Sequence, residues 1–207
     1  MLKRVEIEAK NLAEAEKIAV AGLRIPLDKI KFTVLKEKRG ILGIGASITY
    51  EATPNINLAL EGKSYLENIL KDLGIDIKME MRSKEDVGEI HYHVTSEENA
   101  LLIGREGRTL KSLQFLLRNY LNMFTNDLLI VNLDIGNYNQ NRKKQLEIIA
   151  TKTAKEVART KIEVKLDPMN AYERRIIHAK LAEWRDVMTE SVGEGEERSI
   201  IIKAVRK

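Results

Sequence analysis

Along almost the whole chain, apolar positions either alternate with polar ones or recur at helical spacing, and each change of period marks an element. Val5, Ile7 and Ala9 alternate with polar residues, the pattern of a short strand. Asn11 is placed to cap a helix over 12–23, with Ile18, Ala19 and Leu23 toward a core and Pro26 beyond its end. Ile30, Phe32 and Val34 alternate again. A turn at Lys38-Arg39-Gly40 and the run Gly43-Ile44-Gly45 then lead to a strand over 47–51. The pattern predicts a βαββ unit over residues 1–52. Residues 53–63 hold Pro54, two asparagines and Gly62, and read as a short linker.

A second series follows. Ser64 caps a helix ending before Gly74, and Ile75, Ile77, Met79 and Met81 alternate as a strand over 75–82. A polar turn over 83–88, a strand over 89–95 and a short helix over 97–103, capped by Ser96, come next. Leu110, Leu113, Leu117 and Tyr120 share one face of a helix over 108–123, followed by a strand over 128–135. A long helix from Tyr138 to about Glu163 buries Leu146, Ile149, Ala150, Thr153, Val157 and Ala158. Asp167-Pro168 interrupts it. Asn170 then caps a helix to about Trp184, with Ile177, Leu181 and Trp184 inward, and two strands flank Gly193-Glu194-Gly195. The expected class is α+β in three small domains: residues 1–52, then 64–135, then 136–207.

The segment richest in chemistry is Gly104-Arg105-Glu106-Gly107 with the helix it opens. Two glycines three apart let the backbone turn tightly, with no Cβ to hold a phosphate off. The amide groups starting the next helix favour an anion, and Arg105, Arg108 and Lys111 stand beside them. Taken alone the spacing also fits a plain corner between helices, and Gly40-Ile41-Leu42-Gly43 repeats it with apolar central residues and a strand behind. Context separates the two. The order helix-strand-strand-helix-GXXG-helix-strand is that of a KH domain with its extra helix and strand on the N-terminal side, and the pair falls between the two helices as that fold requires.

A second candidate site lies in the last third. Arg174 and His178 are one helical turn apart, either as a surface pair or as a guanidinium and an imidazole placed to grip phosphate or sugar. Arg142, Lys143 and Arg175 add charge nearby. Lys152, Lys155 and Arg159 form another basic row on the long helix. His91 and His93 share a strand face, but spacing places no third metal ligand, and a satisfied sheet face is the better reading.

Charge sharpens the picture. Residues 1–52 carry ten Lys/Arg against seven Asp/Glu, residues 53–134 nine against thirteen, and residues 135–207 sixteen against eleven. The basic last third can attract a polyanion at long range. No cysteine is present, which removes disulfides, thiolate metal sites and thiol nucleophiles. There is no nucleotide-binding lysine loop and no histidine with an acidic partner at catalytic spacing, so an enzyme is not expected, nor a metal or cofactor. No apolar run approaches the ~20 residues of a membrane span, and the expected location is the cytoplasm.

The motifs together resemble the Jag family. Ile103-Gly104-Arg105-Glu106-Gly107-Arg108-Thr109-Leu110 with Leu113-Gln114 is similar to its KH signature. Pro168-Met169-Asn170 and Glu173-Arg174-Arg175-Ile176-Ile177-His178 resemble its Arg-x-x-x-His domain, and Thr189-Glu190-Ser191, Gly193-Glu194-Gly195 and Arg198 its closing signature. Gly40 to Gly45 resembles the glycine turn of its N-terminal domain. Asn139 departs from the resemblance, which expects an arginine there. The resemblance implies a bacterial single-stranded RNA binder, a post-transcriptional regulator tied to cell elongation and division. The RNA contacts it implies are Gly104, Arg105, Glu106, Gly107, Arg108 and Lys111, with Glu106 exposed, and Arg142, Lys143, Arg174, Arg175 and His178 as a second set. Implied partners are single-stranded RNA (with single-stranded DNA as a competitor), a small single-KH protein, a membrane insertase and a second copy of the chain. The rival reading is an adaptor that docks the insertase through residues 1–52.

Overall fold

The structure, a computed structural model, describes residues 2–38, 46–84 and 88–205. It is α+β and divides into two compact units, Met1–Gly136 and Asn137–Lys207.

The first unit opens with β1 (Val5–Ala9), α1 (Leu12–Leu23), β2 (Ile30–Lys38) and β3 (Ser47–Pro54). β3 lies between β1 and β2 and pairs antiparallel with both. Asn11 accepts the Glu14 amide at 2.9 Å to start α1, and Arg24 in a left-handed conformation ends it. Ala15, Ala19 and Leu23 are the buried stripe. Ile18, expected inward, is 43% exposed, because it stands about 100° round the helix from Ala19. The Gly40–Gly43 turn lies outside the described residues.

Residues 53–63 are not a linker. They are the end of β3, a turn, and the start of α2 (Leu58–Asp72). Asn57, not Ser64, caps this helix by accepting the Leu60 amide at 3.0 Å. The buried stripe Ala59, Gly62, Leu66 and Leu70 begins before Ser64, so the helix must begin there too. Gly62 looks like a breaker in the sequence but is a point of close approach. A Cβ there would stand 2.2 Å from the Tyr92 hydroxyl and 2.9 Å from Leu121 Cδ1. Tyr92 is buried and donates its hydroxyl to the Ala59 carbonyl at 3.0 Å, and burial pushes its phenol well above the ordinary range.

β4 (Lys78–Lys84), β5 (Glu89–Thr95) and β6 (Ile130–Ile135) form the second sheet in that order. β4 runs antiparallel to β5, and β6 runs parallel to it, so the chain crosses over through α3 (Asn99–Ile103) and α4 (Arg108–Asn122). Leu110, Leu113, Leu117 and Leu121 form the buried stripe of α4. Tyr120 stands at the edge of that stripe rather than in it. Ile75 and Ile77 precede β4, and the Ser96 hydroxyl accepts the Glu98 amide at 3.2 Å one residue before α3 begins. His91 Nε2 lies 3.0 Å from Glu89 and His93 Nδ1 3.8 Å from Asp134, so each histidine on β5 faces a carboxylate.

The two sheets of this unit are joined at the end of α4. Phe124, 1% exposed, packs in the core of the N-terminal sheet with Ile7, Ala19, Leu23 and Ala52. The Lys3 amide donates to the Phe124 carbonyl at 2.9 Å, and Leu2 bridges Thr125. Beside this plug, Lys29 donates to the Glu61 carboxylate and, at 3.1 Å, to the Tyr120 hydroxyl, which itself donates to Glu61. Tyr65 stacks on Tyr120 with ring centres 3.9 Å apart. Burial works against the Glu61 charge, but the hydrogen bonds from Lys29 and Tyr120 outweigh it and hold the carboxyl below its usual range. Burial likewise works against the Lys29 charge, and the bonds to Glu61 and Tyr120 raise its pKa overall.

The second unit comprises α5 (Tyr138–Thr160), β7 (Val164–Lys165), α6 (Ala171–Leu181), β8 (Val187–Val192) and β9 (Ser199–Ala204). Its sheet is antiparallel, with β9 between β7 and β8. Leu146, Ala150, Ala154 and Val157 of α5 pack with Ile177, Leu181, Ile200 and Ile202. Ile149, expected inward, is 40% exposed, again one residue off the buried line. The short β7 lacks the alternation that would announce it.

The Lys29–Glu61–Tyr120 cluster sets a pH dependence. A carboxyl held down by folding stabilises the fold fully above its ordinary value of 4.5, and that contribution disappears as pH falls through the lower folded value. The Lys29 contribution stands below 10.5 and is lost only as pH rises through its higher folded value. Glu61→Gln should cost about 1–2 kcal/mol at neutral pH. Its deficit against wild type should shrink toward pH 3, read by hydrogen exchange of the α2 and α4 amides.

Candidate nucleic-acid interface

The glycine loop is built by two helix ends. Gly104 closes α3, its amide donating to the Ala100 carbonyl at 2.9 Å, with φ 69° and ψ −179°. A Cβ at Gly104 would lie 2.2 Å from Thr109 Oγ1 and 3.1 Å from the Thr109 amide, so the chain passes over the start of α4 only because the residue is glycine. Glu106 and Gly107 follow at φ 54° and 74°. Glu106 is thus a non-glycine residue in the left-handed region, half-buried rather than exposed as expected. Lys111 Nζ donates to its carbonyl at 3.5 Å.

What this geometry presents is the N-terminus of α4 without a side-chain cap. The first amides of a helix carry a partial positive charge and seek an acceptor. Arg105 and Arg108 are exposed on either side of that opening, and Lys111 lies one turn in. Gln114, inside the same helix, accepts the Leu133 amide at 3.1 Å and ties α4 to β6. The structure therefore brings Gly104, Arg105, Glu106, Gly107, Arg108 and Lys111 together around one helix end.

The second set of candidate residues does not form one surface. Asn170 caps α6 by accepting the Tyr172 and Glu173 amides at 2.9 and 3.0 Å, and Glu173 reaches back to the Asn170 amide at 3.1 Å. The same Glu173, 5% exposed, accepts Arg142 Nε at 2.8 Å. Arg142 therefore joins α5 to α6 instead of offering its Nε to a ligand.

Arg174 donates to the Met169 carbonyl at 2.7 Å, and His178 Nδ1 pairs with Thr189 Oγ1 at 2.5 Å. The bond to Thr189 fixes the imidazole on the β8 side of α6, and the bond to Met169 ties the guanidinium back to the residue before the Asn170 cap. Arg198 Nε donates to Ser191 Oγ at 3.0 Å, two residues along β8 from Thr189 and on the same face. Thr189, Ser191 and Arg198 belong to this flank and were not among the expected contacts. Their signal was the alternation of Thr189 and Ser191 within the closing motif. Lys143 and Arg175 are elsewhere, in a hollow with Tyr172 and Ile176. At 100° per residue, Arg174 and His178 leave α6 on one side of the buried Ile177–Leu181 line, and Tyr172 and Ile176 on the other.

Two family models match the chain: the KhpA/KhpB KH domain over residues 63–133 and the Arg-x-x-x-His domain over residues 144–204. The RNA-binding protein KhpB of Clostridium symbiosum is 35% identical over 205 residues, covering 98% of this chain and 92% of that protein. The protein of the same name from Bacillus subtilis is 33% identical over 210 residues, covering 99% of this chain and all of that protein. A third, from Lactiplantibacillus plantarum, is 35% identical over 143 residues, 69% of this chain and 44% of its own length.

The fold and its sites thus define a protein that carries a KH module and an Arg-x-x-x-His module on one chain. With relatives matched over nearly their full length, the chain belongs to the KhpB family, also called Jag. Among the described residues no helix is long and apolar enough to cross a membrane.

Glu173→Ala should remove the reciprocal half of the α6 capping box, leaving the Asn170 cap, and take away the carboxylate that accepts Arg142 Nε. The expected loss is on the order of 3 kcal/mol in the second unit. Trp184 is the single tryptophan and packs against that unit's core, so its fluorescence in a urea titration reads this loss without interference from the first unit.

Proposed function

We propose that this chain is a non-catalytic binder of single-stranded RNA. The observation that carries the reading is the uncapped N-terminus of α4, opened by Gly104 and Gly107 and flanked by the exposed Arg105 and Arg108. A phosphate seated there accepts backbone amides while the two arginines pair with it or with its neighbours. A KH groove of this kind holds about four nucleotides. Arg174 and His178, oriented by Met169 and Thr189, add a second contact through a guanidinium fork and the Nε2 edge of the ring. Two modest sites on one chain raise the effective affinity for a strand long enough to reach both. The names carried by the relatives support this reading. The role it fits is post-transcriptional regulation, with cell elongation and division as the process to which the family resemblance points.

Exchanging Arg105 and Glu106 together for aspartate tests the clamp. Aspartate tolerates the left-handed backbone at position 106, so the fold survives. Two charges that repel phosphate replace one arginine and one glutamate. Binding to a short unstructured RNA should weaken at least tenfold, and the dependence of log K on log salt should flatten by about 0.7 for each phosphate no longer engaged. An unchanged Kd in the folded variant sinks the clamp.

A further inference from the structure

The flank of α6 away from Arg174 and His178 carries a second basic surface. Two adjoining hollows of about 430 and 520 Å³ run along α5 and α6 and share Glu147 and Lys180 at their common edge. Six cations line them: Lys143, Lys144, Lys152, Lys155, Arg175 and Lys180. Glu147 is the one carboxylate in the lining. Among the described residues none of the six cations forms an ion pair. Elsewhere in the unit cations do find carboxylates, as Arg142 finds Glu173 and Lys203 finds Glu190.

Unneutralised like charges gathered along a concavity repel one another, and a linear polyanion relieves that repulsion over its whole length. Lys144 and Lys155 stand about 16 Å apart along the axis of α5, room for several phosphates at about 3.4 Å or more per nucleotide. At the end of the groove Tyr172, 64% exposed, lies beside Lys143 and Arg175. An exposed aromatic ring among cations is the surface on which a single-stranded base stacks while its phosphate is held alongside.

We propose that the α5–α6 groove is a further RNA track, separate from the Arg174–His178 flank. It takes the phosphodiester backbone of a single strand across the six cations and stacks a base on Tyr172. The proposal rests on the RNA-binding reading above and extends it to a face that the Arg-x-x-x-His motif does not mark.

The test uses the full chain with two unstructured RNAs, a pentanucleotide that fills the KH groove alone and a 20-nucleotide strand that reaches further. In K144E/K152E/K155E, with Trp184 fluorescence confirming the fold, the Kd for the long strand should rise at least tenfold. Its salt slope should flatten by about 2, or about 0.7 for each of the three phosphates released, while the pentanucleotide is unaffected. Tyr172→Ala should weaken the long strand severalfold with no change in slope, because stacking releases no counterion. Unchanged affinity for the long strand in both variants, with wild type binding it, overturns the groove and leaves the KH clamp standing. Wild type that binds neither RNA at low salt overturns the RNA reading and the groove with it. Phosphatidylserine vesicles that bind wild type but not the triple variant, with long-strand affinity retained, reassign the groove to a membrane surface and overturn the proposal.

Discussion

Helix α4 has to serve two cores and carry the glycine loop at its start, and the first unit is arranged around that requirement. Its buried leucines pack in the KH core, and Phe124, just past its end, fills the core of the N-terminal sheet. Between them Tyr120 lies under Tyr65 and within the Lys29–Glu61 pair, so the far end of the helix is held by hydrogen bonds as well as by packing. A helix gripped in this way at its far end holds the glycine loop at its near end in a defined place. The N-terminal sheet thus has a physical part in holding α4 although it contributes no residue to the glycine loop.

In the second unit a single buried carboxylate performs a similar service. Glu173 completes the cap of α6 and accepts Arg142 from α5, so one side chain sets where α6 begins and how it lies against α5. Once α6 is fixed in that way, its polar residues divide between two flanks. His178 turns toward Thr189 on β8 and Arg174 toward the Met169 carbonyl, while Arg175 lies beside Lys143 of α5. A cluster of basic residues that is contiguous in sequence becomes two surfaces facing different ways.

The periodicities settled most of the elements and their order. α1 with its Asn11 cap, β5, α4 and the cap of α6 at Asn170 stand where alternation and capping chemistry put them, because those signals are local. The glycine loop was legible for the same reason. A tight turn before an amphipathic helix, with arginines beside it, is a local statement about backbone and charge.

Local chemistry was insufficient where a residue's role depends on what meets it from afar. Gly62 reads as a breaker, yet it sits inside α2 because Tyr92 and Leu121 need the space its missing Cβ leaves. Ile18 and Ile149 have the right polarity for a core but stand one residue off the line that packing selects. Arg142 has the charge of an RNA contact, but a carboxylate 31 residues away engages it. Lys29 and Tyr120, 91 residues apart, carry no sequence mark of their meeting. Sequence by itself determined the order of nearly all the elements, the short β7 excepted, with the glycine loop and the types of side chain at each site, since period, propensity and charge act over a few residues. Tertiary structure decided which cations face outward and which are drawn into the fold, because that choice is made by partners that only folding brings within hydrogen-bonding distance.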